Sequence, residues 1–125
     1  MTIATALCAS LLYVGVCAAA EGRAAPVSCN LKAIGAAERP RYNDLMMRLR
    51  AVVRNRSELS NGFAFTLDGK AMDLPQVAEW ISMERQCCPF LTFQLSASGD
   101  KPEWVLKLTG PEGTKALLEV EFTPR

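Results

Sequence analysis

Asp73-Leu74-Pro75-Gln76-Val77-Ala78-Glu79-Trp80-Ile81-Ser82-Met83-Glu84-Arg85-Gln86-Cys87-Cys88-Pro89-Phe90-Leu91-Thr92-Phe93-Gln94-Leu95-Ser96 changes its hydrophobic period partway along. Up to Cys87 the apolar residues recur at helical spacing. From Phe90 they alternate, with Leu91, Phe93 and Leu95 on one side, which is the pattern of a half-buried strand. Asp73-Leu74-Pro75 opens the helix. Pro89 stops it, because the residue before a proline is pushed out of the helical region. A helix that runs straight into a strand places the chain among folds that mix the two.

Working outward, Phe63-Ala64-Phe65-Thr66-Leu67 alternates as another half-buried strand, opened by the turn signal Ser60-Asn61-Gly62 and closed by Asp68-Gly69. Upstream, Tyr42, Leu45, Met46, Leu49, Val52 and Val53 line one face of a helix expected over Glu38–Asn55, with Pro40 in its first turn. Arg41, Arg48, Arg50 and Arg54 fall off that face and read as a solvated flank. Downstream, Ser98 to Pro102 forms a hairpin loop, and Glu103 to Thr109 is a strand with Trp104, Leu106 and Leu108 on one side. Gly110-Pro111-Glu112 then starts a last helix containing Ala116, Leu117 and Leu118, and a short strand is expected near Val120–Phe122. The order is α-β-α-β-β-α with a final β. The expected fold is therefore α+β, a ferredoxin-like β-α-β-β-α core preceded by one helix, with an antiparallel sheet packed on helices.

The chain has 125 residues, enough for one domain. Three segments are expected: a signal peptide or membrane anchor over 1–20, a linker carrying Cys29 over 21–37, and a single domain over 38–125. Ile3 to Ala20 carries no charge, and Ala18-Ala19-Ala20 is a small-x-small cleavage pattern, so cleavage is expected before Glu21. The lack of Lys or Arg in Met1-Thr2 counts against it. The expected location is periplasmic or secreted, or membrane-anchored where the segment is retained. Cleavage would remove Cys8 and Cys17 and leave three cysteines: Cys29, Cys87 and Cys88. No stable membrane association is expected after it.

Charge and composition exclude whole classes of chemistry. With 14 basic and 13 acidic side chains the net charge is +1, so no bulk field points to nucleic acid. There is no histidine. That removes His general bases, Ser-His-Asp and Cys-His arrangements, and every His-ligated metal site.

Projecting residues 74–88 at about 100° per residue puts Leu74, Val77, Ala78, Trp80 and Ile81 on one apolar face. Glu84 falls inside that face and Arg85 at its edge. Cys88 lands one turn beyond Glu84, and Cys87 points toward Trp80 and Met83. An ionisable pair within a core-facing stripe costs stability, so it marks a site or a specific buried pairing. Three interpretations follow. Glu84 caps or pairs locally while the cysteines act as small apolar residues. Alternatively Cys29 forms a disulfide with Cys87 or Cys88, which suits an exported chain and has an easier geometry than bridging adjacent residues. In the third, Cys87, Cys88 and Cys29 ligate a soft metal or metalloid ion, with Glu84 as oxygen ligand or proton acceptor and Arg85 favouring thiolate. The absence of Cys-x-x-Cys argues against a thioredoxin-type enzyme.

The run Trp80 to Phe93, with Trp104-Val105-Leu106-Lys107-Leu108-Thr109-Gly110-Pro111-Glu112-Gly113 downstream, resembles a group of small uncharacterised bacterial proteins. They share an E-R-x-C-C-P-F core and a W-x-x-x-x-T-G-x-x-G segment. Cys29 is similar to an upstream cysteine of that group, and Leu59 to Phe65 to its L-x-x-G-Y/F-x-F strand. The resemblance implies Cys29, Glu84, Arg85, Cys87 and Cys88 as site residues and implies no activity. The expected function is an exported thiol protein binding a soft metal or metalloid ion through the cysteine cluster. The alternative is a disulfide-stapled interaction domain whose protein partner is not specified. An enzyme with a Cys nucleophile and Glu84 as base has only this short motif behind it.

Overall fold

Helix α1 (Arg39–Val52) forms where the apolar spacing and Pro40 place it, and it buries Tyr42, Leu45, Met46, Leu49 and Val52. This computed structural model describes residues 27–123. The segment expected to direct export (1–20) and the first part of the linker lie outside the described residues. Among the described residues no helix is long and apolar enough to cross a membrane.

The helix expected to reach Asn55 ends at Val52, and strand β1 (Val53–Leu59) follows at once. The sequence reading lacks this strand because Arg54-Asn55-Arg56-Ser57-Glu58 is exposed throughout and shows no apolar alternation. Pairing creates it. β1 runs antiparallel to β2 (Gly62–Asp68), with Arg56 opposite Phe65 and Glu58 opposite Phe63, across a Ser60-Asn61 turn. Arg56 lies over the Phe63 ring at 4.6 Å, and Lys115 bonds Glu58. Charges on an outer strand also discourage pairing with another chain. Gly62 is required by close approach, since a Cβ there would sit 1.9 Å from the Leu108 carbonyl oxygen.

Helix α2 (Leu74–Cys87) starts from a capping box, in which Asp73 accepts from the Gln76 amide and Gln76 from the Asp73 amide. Strands β3 (Thr92–Ala97) and β4 (Glu103–Thr109) form the second hairpin, and helix α3 (Thr114–Glu121) closes the chain. Helix α3 runs through the place where a final strand was expected. Phe122 caps it and stacks on Phe65 at 4.3 Å, so this residue is held by the core, not by a sheet.

The result is an α+β domain with three helices and a four-stranded antiparallel sheet, in the order β1-β2-β4-β3. Registers Phe63↔Leu108, Phe65↔Leu106, Phe93↔Leu108 and Leu95↔Leu106 put these side chains on one face. The helices cover that face. Residues between them, such as Gln94, Ser96 and Lys107, are exposed on the other. Trp80 is wholly buried; its indole N–H donates to Met46 Sδ, and its ring meets Phe93 and Phe122 edge-on. This packing fixes the rotation of α2, and thereby what its last turn presents.

Candidate functional site

The last turn of α2 carries Glu84, Cys87 and Cys88, all buried, with Glu84 wholly so. A wholly buried Leu or Val contributes roughly 1.5–3 kcal/mol, whereas burying an ion costs several kcal/mol. Glu84 therefore offsets the gain from a few core side chains unless it is paired. Its partner is Tyr42 of α1, whose hydroxyl donates to Glu84 Oε2 at 2.7 Å. Burial, and then the Glu84 carboxylate, push the Tyr42 phenol far above its usual range, so it stays a donor.

The N-terminal segment reaches the same place by backbone pairing. The Cys88 amide closes the helix on the Glu84 carbonyl at 2.8 Å, and the Asn30 amide donates to the Cys87 carbonyl, also at 2.8 Å. A helix end leaves such carbonyls without partners, and here the incoming strand-like segment supplies one. Asn30 caps the 3-10 turn Leu31–Ala33, and Ile34 beyond it is wholly buried, which anchors the segment. Cys29 is thereby set against Cys88, and the two form a disulfide with Cα atoms 4.7 Å apart.

Cys87 is the free thiol of the described residues. Its Sγ lies 3.5 Å from Cys88 Sγ, 3.7 Å from Glu84 Oε2, and donates to the Glu84 carbonyl at 3.4 Å. Burial first, and then the carboxyls of Glu84 and Glu121, push its thiol up to about 12. It holds its proton at neutral pH. Glu84 Oε1 is 3.2 Å from Cys88 Sγ. In the disulfide that sulfur has no proton to give, so this contact becomes a hydrogen bond only on reduction.

The ligand atoms of Cys29, Glu84, Cys87 and Cys88 all lie within 4.8 Å of one another, a cluster that could hold a metal ion. Scanned against family models, curated proteins and solved structures, the chain matches none of them. The chemistry of the cluster thus has to be read from its own atoms.

Two further residues belong to it. Glu121, in the last turn of α3, has its carboxyl pushed up to about 9, by burial first and then by neighbouring Glu84. Arg50 of α1 donates to the Glu121 backbone carbonyl and so ties α3 to α1 beside the cluster. The sequence reading places Tyr42 in the core and leaves Glu121 unassigned. A tyrosine on an apolar helix face needs a partner for its hydroxyl, and Glu84 is the off-pattern acceptor, so that pairing had a signal. Glu121 had none, because the strand expected near Val120–Phe122, after the last helix, turns Glu121 away from its apolar neighbours Val120 and Phe122. Arg85 departs from expectation. It is exposed, one step round the helix from Glu84, and the Glu84 carboxylate is met by Tyr42 instead. Ala78, expected on the apolar face, is exposed as well.

Proposed function

We propose that this is a thiol protein that binds a soft metal or metalloid ion through Cys29, Cys87 and Cys88, with Glu84 beside them, once its disulfide is reduced. The observation that carries this is the convergence of three sulfurs and one carboxylate within 4.8 Å in a histidine-free site that is buried except at Cys29. Thiolate-rich sites select soft ions, and bonds of about 2.3 Å from sulfur to a metal such as zinc suit donors spaced this closely. Binding must displace thiol protons, so uptake rises with pH. The disulfide consumes two of the three sulfurs, which makes the oxidised chain the non-binding form.

The reading extends to export, which favours disulfide formation. It also extends to kinship with the small bacterial proteins that share the E-R-x-C-C-P-F core. In the same sense we read the sheet as a ferredoxin-like arrangement whose outer position beside β2 is taken by β1. The test compares reduced, oxidised and thiol-alkylated protein exposed to mercuric ion or arsenite, followed by intact mass under non-denaturing conditions. One ion per reduced chain and none on the others is expected; equal uptake by all three would sink the proposal.

One observation favours a second reading. The Cys29–Cys88 bridge is formed and the Cys87 thiol is buried, as in a stapled interaction domain with structural cysteines. Protein that keeps its bridge under conditions matching the cellular thiol pool, and that takes up no ion after forced reduction, would belong to that class.

A further inference from the structure

The two ends of the Cys29–Cys88 bridge are unequal. Cys29 is partly exposed and lines a cleft of about 240 Å³, together with Leu31, Tyr42, Leu117, Val120 and Glu121. Cys88 is wholly buried behind it, against Glu84 and Cys87. Thiol–disulfide exchange needs a thiolate to reach one sulfur while the other leaves, and access decides which is attacked. Of the two ends only Cys29 borders the cleft, so it is the end that a solvent-borne thiol meets. The leaving sulfur is then Cys88, and its surroundings suit that role. The Cys87 thiol, 3.5 Å away, is able to donate to it, and once Cys88 carries a proton Glu84 Oε1, at 3.2 Å, accepts from it.

We propose that this chain is opened by a dithiol that enters the cleft and attacks Cys29, making the bridge a directional reductive gate on the buried sulfurs. One thiol of the reductant loses its proton to solvent, and its sulfur bonds to Cys29 Sγ. The Cys29–Cys88 bond breaks, and its electron pair leaves with Cys88, which takes up a proton from solvent. The reductant's second thiol, deprotonated in turn, attacks the reductant's sulfur in the mixed disulfide. Cys29 departs as thiolate into the cleft and is protonated by water. The dithiol is oxidised to a disulfide, and the protein's disulfide is reduced to two thiols. The gate rests on the proposed function only in that reduction frees the ligands an ion would use; the exchange itself involves no ion.

The experiment stops the reaction after its first step. Oxidised full-length protein carrying Cys8→Ser and Cys17→Ser, in chelator, is treated briefly with the monothiol glutathione, quenched in acid, alkylated and mapped by peptide mass. It is run on this parent and on its Cys87→Ala variant, in which the adduct cannot migrate through the third sulfur. The expected result in Cys87→Ala is glutathione on Cys29 and the alkyl group on Cys88, by about tenfold or more over the reverse. Glutathione on Cys88, or an even split, overturns the proposal. A second variant, Val120→Trp, narrows the cleft at a side chain that is 67 % exposed and so leaves the core alone. Exchange with glutathione should slow several-fold at an unchanged unfolding midpoint, and an unchanged rate counts against the cleft as the route. Because no ion is present, exchange at Cys29 without later ion uptake would overturn the metal reading alone.

Discussion

Tyr42→Phe removes one oxygen atom from the site and leaves the packing of the ring in place. The lost group is the hydroxyl that donates to Glu84 Oε2 at 2.7 Å, both partners being buried. In the disulfide form neither Cys88 Sγ, which has no proton, nor the Cys87 thiol at 3.7 Å replaces an oxygen donor at that distance. A hydrogen bond to a charged group contributes roughly 1.5–3 kcal/mol, and an acceptor left buried without it carries its full desolvation cost. We expect a loss of about 2 kcal/mol. For a domain of this size that lowers the unfolding temperature by roughly 8–16 °C. The assay is reversible urea and thermal unfolding followed by the fluorescence of Trp80 and Trp104, both rigidly placed by the core. A double-mutant cycle with Glu84→Gln isolates the pair, and its coupling should exceed about 1 kcal/mol. A Tyr42→Phe variant within about 0.5 kcal/mol of the parent, the range of a neutral surface change, would refute the pairing. So would a cycle that closes to zero.

Three further outcomes follow from the same cluster. Cys29→Ala opens a loop spanned by a sequence separation of 59 and should cost about 4 kcal/mol by chain entropy; reductant should then lower the wild-type midpoint toward the variant's while leaving the variant unmoved. Glu121, pushed up to about 9 when folded from an ordinary value of 4.5, binds a proton that the unfolded chain releases. Its contribution is complete below about 4.5 and is lost as pH rises toward about 9, because the folded state holds more protons across that window. Urea midpoints of the wild type should therefore fall between pH 5 and 9 more steeply than those of Glu121→Gln, and parallel curves would disprove the shift. Cys87, buried and pushed up to about 12, should resist iodoacetamide at pH 7.5 in native protein and react at once in urea; modification at the rate of a free thiol would show that the site is open.

Local signals carry far along this chain when a single element is enough to state them. The change of period at Pro89, the turn at Ser60-Asn61-Gly62 and the alternation of Phe63–Leu67 each act within a few residues, and each element forms where expected. Glu84 was legible for a related reason: a carboxylate inside an apolar stripe breaks a pattern visible in one helix. β1 was not, because an edge strand is held through hydrogen bonds to β2 rather than through side chains of its own, and Arg54 to Glu58 carry no periodic apolar signal. The final strand expected near Val120–Phe122 failed on the ambiguity of a short apolar run, which helix and sheet both accept until Phe122 meets Phe65.

By itself, then, the sequence determined the α+β class, the helix that ends in two cysteines, and the oddity of an acid on its inward face. Those are properties of spacing along one segment. Only the tertiary structure decided which cysteine meets Cys29, that Tyr42 rather than Arg85 answers Glu84, and that Glu121 arrives from the far end of the chain. Such pairings depend on how α1, α2 and α3 rotate against one sheet. That rotation is set by Trp80, Met46, Phe93 and Phe122 packing together, side chains drawn from separate parts of the chain whose mutual fit no single stretch of sequence contains.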